Sequence, residues 1–267
     1  MLGLTRSTSR FVSQTVGKKS KILRCVSTAS PQPIIELREY ALKPEHAGAY
    51  MQATAASADL RKSMAPLRFF SLPETGGQLH MATHAYYYQG GHEERDAKRA
   101  FMAGNDDWKA YIATCRPTAD TQMSNIYVEA ADIVAMDGVQ GLATVPTYSD
   151  SNSSNTILEI RRYQLRLGYD TVPKFLDFYQ AGLPSKLNAA GTDPTTSLQT
   201  VLYTEVGQMN EVIEIWRHGD GTAAMERSRV AARGADEWRT AIAQIAKETA
   251  ITFCSTIHKP TAFSPIR

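Results

Sequence analysis

Long apolar runs are missing from this chain. None approaches the roughly 18 residues a membrane-crossing helix needs, which excludes a helical span and leaves a peripheral inner-membrane contact open. Cysteine is scarce. Cys25, Cys115 and Cys254 are the only three, they fit no zinc spacing, and the later two read as buried thiols in a reducing compartment. No G-x-S-x-G elbow, phosphate loop or H-E-x-x-H helix is present, so no nucleophilic or hydrolytic machinery can be named. Of the six histidines only His80 and His84 are four apart. On a strand that spacing is about 13 Å, too far for one zinc. No catalytic or metal-ligating set follows, and no cofactor is implied.

Acid is absent before Glu36, whereas Arg6, Arg10, Lys18, Lys19, Lys21 and Arg24 all precede it, interleaved with Ser and Thr. That composition, with Leu2, Leu4, Phe11, Val12 and Val16 as an apolar stripe, is the signature of an organelle transit peptide over residues 1–30. Taking those six positive charges from the formal +2 leaves a body near −4, a poor electrostatic footprint for nucleic acid. Hydrophobic residues at 43% and charged residues at 21% suit a globular protein.

What is present is one unit written twice. "GNDDWKAYIA" from Gly104 returns as "GADEWRTAIA" from Gly234, and "IIELREYAL" from Ile34 returns as "ILEIRRYQL" from Ile157. Each copy has a β-branched alternating strand, a helical stretch, two strands joined by a Gly-containing turn, two short helical segments and a closing strand. The order β-α-β-β-α-β is the ferredoxin-like split unit. The boundaries are 31–136 for the first domain, 137–155 for a Gly/Pro/Ser-rich linker outside the core, and 156–267 for the second domain. Asp106 and Asp236 are expected to cap the helices carrying Trp108 and Trp238, whose indoles read as packing. Gly104 and Gly234 are expected to close the preceding helices in a left-handed cap.

A ferredoxin-like sheet carries helices on one face, so its other face needs cover. Two tandem units can cover each other, giving an α+β fold in which two sheets pack as a barrel-like pseudodimer. Period-2 alternation then sorts the side chains. Ile35, Leu37, Leu158, Ile160, Ile213 and Ile215 are assigned to the helix side. Glu36, Arg38, Tyr40, His84, Tyr86 and Tyr88, with Glu159, Arg161, Tyr163, Glu214, Trp216 and His218, are assigned to the barrel interior. That polar and aromatic set reads either as structural ion pairs or as the lining of a small-molecule cavity.

These residues resemble the NIPSNAP domain. "IIELREYALKP" and "ILEIRRYQLRLG" are similar to its opening strand, "GGQLHMATHAYYY" and "GQMNEVIEIWRH" to its Gly-led third strand, and "DDWKAYIA" and "DEWRTAIA" to its Trp-bearing helix. Tyr86 stands where the family usually has Trp, and Glu214 where it has His. The resemblance implies tandem dimeric α+β barrel units, a mitochondrial matrix location, action through other proteins in mitochondrial homeostasis, and no established catalysis. The second reading is an oxygenase-like or haem-handling barrel enzyme with His84 as the iron ligand. Homo-oligomers are expected to be open to the chain through free outer sheet edges.

Overall fold

Alternating β-branched and aromatic residues build eight strands, and amphipathic stretches build the helices between them. The computed structural model describes residues 30–146, 148 and 155–267, so the expected transit segment lies almost wholly outside the described residues. In the first copy β1 (Ile34–Leu42) is followed by α1 (Ala47–Ala56), α2 (Ala58–Met64), β2 (Leu67–Thr75), β3 (Met81–Tyr88), α3 (Gly91–Gly104), α4 (Asp106–Cys115) and β4 (Ala119–Glu129). A short α5 (Ala131–Val134) opens the connection. The second copy runs β5 (Ile157–Leu165), α6 (Thr171–Leu187), β6 (Thr196–Val206), β7 (Glu211–His218), α7 (Gly221–Arg233), α8 (Asp236–Glu248) and β8 (Ala250–Pro260).

The strands close into one antiparallel barrel in the order β1-β3-β2-β8-β5-β7-β6-β4. Each copy contributes a four-stranded sheet, and the seams between copies are β2–β8 and β4–β6. Closure pairs the outer strands of both sheets. The free edges expected to promote homo-oligomers are therefore absent from the described barrel.

The alternation sorts residues as expected, but the faces are exchanged. Ile35, Leu37, Phe69, Ala85, Tyr87 and Tyr127 meet Leu158, Ile160, Leu202, Ile213 and Ile215 in one cluster, so the isoleucine and leucine face fills the barrel. Tyr163, Val212 and Trp216 instead pack on Phe175, Tyr179, Leu183 and Trp238 of the helices, and Tyr40 packs on Tyr50 and Tyr111. The polar set thus lies beneath the helices, not inside the barrel. The physical reason is partner supply. The facing sheets pair one charged cluster, Arg162 with Glu39 and Glu211, and otherwise offer mostly apolar side chains, whereas the helices bring arginines, tyrosines and a lysine to theirs.

Local details also depart from expectation. Asn105, not Asp106, caps α4, accepting from the Trp108 backbone N–H at 2.8 Å. In the second copy the Trp238 N–H donates to Ser185 Oγ on α6 at 2.9 Å. Gly234 has a right-handed φ of −84°, and Gly104 closes α3 without a left-handed φ. The connection 137–155 is not all outside the core. Leu142 is fully buried in the barrel cluster. Its N–H donates to Glu129 Oε1 at 2.7 Å, and its carbonyl accepts from Arg68 Nε.

Candidate functional site

Beneath the helices of each copy lies a cavity. The second-copy cavity holds about 820 Å³ between β5, β7, β8 and helices α6, α7 and α8. Glu159, Arg161, Tyr163, Trp216 and His218 are on its wall, with Trp238, Ile242, Ile245 and Phe253 as its apolar part. Glu214 sits behind them, fully buried. The first-copy cavity holds about 460 Å³ and is lined by Glu36, Arg38, Tyr40, Tyr86 and Tyr88. His84 is buried behind Tyr86 and is not on that wall. The twelve residues singled out by alternation therefore divide six to each copy, five of each six on the cavity wall and His84 and Glu214 buried behind it.

In the second copy the strand carboxylates are fully engaged. Glu159 accepts from Arg161 Nε (2.7 Å), Ser255 Oγ (2.8 Å) and Arg229, and His218 Nε2 lies 3.3 Å from it. These partners outweigh burial and hold its carboxyl well below the usual range. Glu214 accepts from Tyr163 OH and Trp216 Nε1, both at 2.7 Å, and from Tyr179 OH. Arg161 Nη1 bridges to it at 3.4 Å. Burial lowers the His218 imidazole below its ordinary value despite Glu159, and its Nδ1 lies 2.9 Å from Thr196 Oγ1.

The residue the alternation could not find is Lys186 on α6. Its ammonium lies 3.8 and 4.3 Å from the ring centroids of Trp216 and Trp238. Its nearest carboxylate oxygen, on Glu214, is 3.8 Å away, and Nζ has no hydrogen-bond partner. Burial, only partly countered by Glu214, brings its pKa down to about 7. It is the group on this wall whose charge changes near neutrality.

The first copy repeats the plan with changes. Glu36 accepts from Arg95 (3.0 Å), Arg99 (3.2 Å) and Ser124 (2.6 Å), and from Tyr88 OH at 3.3 Å. Arg61, eleven residues after Tyr50 just as Lys186 is eleven after Phe175, is the matching buried cation, and it donates to Tyr86 OH and Tyr111 OH. Burial pushes the Tyr40 phenol up to about 12. His84 stacks on Phe70 at 4.8 Å and places Nδ1 2.9 Å from Tyr86 OH. Burial holds its imidazole well below the ordinary pKa. Enclosed in this way, it presents no face to the cavity, and the haem-ligand role expected of it does not fit. His80 sits in the turn before β3 with φ 57°, exposed. Among the described residues no group of three or more His, Cys, Asp or Glu is arranged to hold a metal.

Two ferredoxin-like sheets closed into one barrel, with a cavity under the helices of each, define a tandem dimeric α+β barrel. The NIPSNAP family model matches residues 35–132 and 158–265. The chain belongs to the NIPSNAP family. Solved structures share the whole architecture at low identity. A candidate monooxygenase of Fusobacterium nucleatum is 12% identical with a TM-score of 0.59, over 87% of this chain and 94% of that one. A candidate monooxygenase of Lactobacillus acidophilus is 8% identical with a TM-score of 0.56, over 85% and 94%. An anthrone oxidase-like protein is 13% identical with a TM-score of 0.54, over 86% and 92%. At such identities the likeness concerns the fold alone. No curated protein matches the chain.

Proposed function

We propose that this chain is a small-molecule-binding barrel protein whose ligand occupies the second-copy cavity. The observation that carries the reading is the cavity itself, about 820 Å³, with Trp216, Trp238, Ile242, Ile245 and Phe253 as its apolar part and charged groups contributed by β5 and by helices α6, α7 and α8. That size and composition suit a flat apolar molecule. Because Glu159 and Glu214 already have their partners, the body of the ligand is held by the indoles and aliphatic side chains. The names borne by the fold relatives, monooxygenase and anthrone oxidase-like, point in the same direction and make anthrone a sensible first compound to try. This reading is favoured over one in which the chain acts only through protein contacts. The acid-free basic segment before Glu36 supports import into the mitochondrial matrix, which fractionation of cells expressing the full chain would test.

The binding test uses 1-anilinonaphthalene-8-sulfonate, a flat fluorescent anion. It should bind saturably and quench Trp216 and Trp238. Ala246→Trp, which adds an indole at the exposed rim of the cavity, should lower its affinity about tenfold, some 1.4 kcal/mol, with an unchanged circular dichroism spectrum. Undiminished binding by a folded Ala246→Trp protein would sink the reading.

A further inference from the structure

We infer that the first-copy cavity is a second ligand site, one that takes a small organic carboxylate. The inference starts from a charge difference between the repeats. In the second copy the buried cation Lys186 has the carboxylate of Glu214 3.8 Å away. Glu214 lies opposite Arg161 in the β5–β7 register. In the first copy the residue opposite Arg38 in the β1–β3 register is His84, whose enclosure keeps it neutral. The internal carboxylate is therefore missing where the buried cation, Arg61, is still present.

Arg61 is 3% exposed and has no carboxylate within ion-pair distance among the described residues. Two tyrosine hydroxyls accept from its terminal nitrogens, and the rings of Phe70, Trp108 and Tyr111 surround it at 5.2 to 5.5 Å. A buried guanidinium without a counter-anion is costly. Glu36 cannot supply the charge, because Arg95, Arg99, Ser124 and Tyr88 already occupy its oxygens. On the same cavity wall donors stand idle. Tyr50 is 1% exposed and its hydroxyl has no hydrogen-bond partner, and neither has Nε of Arg61, while Arg38 Nε lies 3.8 Å from Glu36 Oε1. Arg116 adds positive charge at the rim, beside Arg99 and Lys109, which pair with Glu36 and Asp106.

A surplus of buried donors with no acceptor is completed by a group that only accepts and carries negative charge. A carboxylate in that position does for Arg61 what the Glu214 side chain does in the other half. The cavity, about 460 Å³ with Trp108, Met102 and Ile112 on its wall, leaves room for an apolar body behind the charged end. The site is separate from the second-copy cavity and does not depend on what that one binds.

The test is calorimetric titration and thermal unfolding of the full chain with benzoate, phthalate and the uncharged isostere benzamide. At least one carboxylate should bind saturably and raise the unfolding temperature, while benzamide should do neither. Tyr50→Phe removes a hydroxyl that bonds to nothing in the protein, so the fold should keep its stability while carboxylate affinity falls about tenfold, the size of a hydrogen bond to a charged group. His84→Glu supplies the missing carboxylate from within and should abolish binding. No binding of either carboxylate, equal binding of benzamide, or a Tyr50→Phe protein with undiminished affinity would each overturn the inference, whether or not His84→Glu folds.

Discussion

Lys186 shows how one residue sets a property of the whole domain. Its amine is buried between two indoles and its pKa falls to about 7, against about 10.4 in an unfolded chain. Between those values the unfolded chain binds the proton more readily than the folded one. Stability therefore rises with pH across the window, by at most about 1.4 kcal/mol per pH unit. Lys186→Met should flatten the rise between neutrality and pH 9 in urea unfolding, and a slope unchanged in that variant would refute the assignment. The same residue marks a limit of reading by alternation. Strand period placed Glu159, Arg161, Tyr163, Glu214, Trp216 and His218 together correctly, because i and i+2 share a face. It could not see a helix residue. A signal existed in helical spacing: Phe175, Tyr179, Leu183 and Lys186 fall on one stripe, as do Tyr50, Thr54 and Arg61 in the first copy. A basic residue at the end of a buried stripe, twice over, is what marks the cavity.

Elements pack here by close approach as much as by side-chain fit. At Gly182 of α6 an added Cβ would lie 2.5 Å from the Ala241 side chain and 3.2 Å from the Trp238 Cα, both on α8. Gly182→Ala should force the two helices apart, costing about 1–3 kcal/mol, and should weaken the contact of Trp238 with Lys186. Thermal unfolding with indole fluorescence reads both effects, and a variant as stable as the parent would show that the helices can slide. The repeat, the strand–helix order and the residue grouping were legible because they rest on period and local propensity. The direction of each sheet face was not. Either face of β5 is buried, Leu158 and Ile160 under the opposite sheet and Glu159 and Tyr163 under helices, so polarity alone could not say which layer was drier. The connection between copies misled for a related reason. Its Gly, Pro and Ser content describes the backbone of a loop, while Leu142 reaches the barrel core from it and Tyr148 packs against the same cluster.

At the scale of the molecule the barrel interior belongs to neither copy. Ile35, Leu37 and Phe69 of the first meet Leu158, Ile160 and Ile213 of the second in one cluster. Arg162 of β5 crosses to Glu39 of β1 at 2.8 Å. Beyond β8 the chain returns to the first copy, with the Thr261 and Ile266 backbone N–H groups donating to the Phe70 and Arg68 carbonyls at 2.9 and 3.0 Å. Ile266 enters the shared core. Separation would bare two sheet faces of isoleucine, leucine and aromatic side chains, a patch that monomeric proteins rarely leave to water. It would also open the seams β2–β8 and β4–β6 and leave four unpaired strand edges. Residues 31–136 and 156–267 produced as separate fragments should therefore aggregate or self-associate, and mixing or co-expressing them should restore a soluble one-to-one complex. Light scattering with chemical denaturation decides the matter. If both fragments are monomeric and unfold cooperatively, the shared core is not what holds the two copies together.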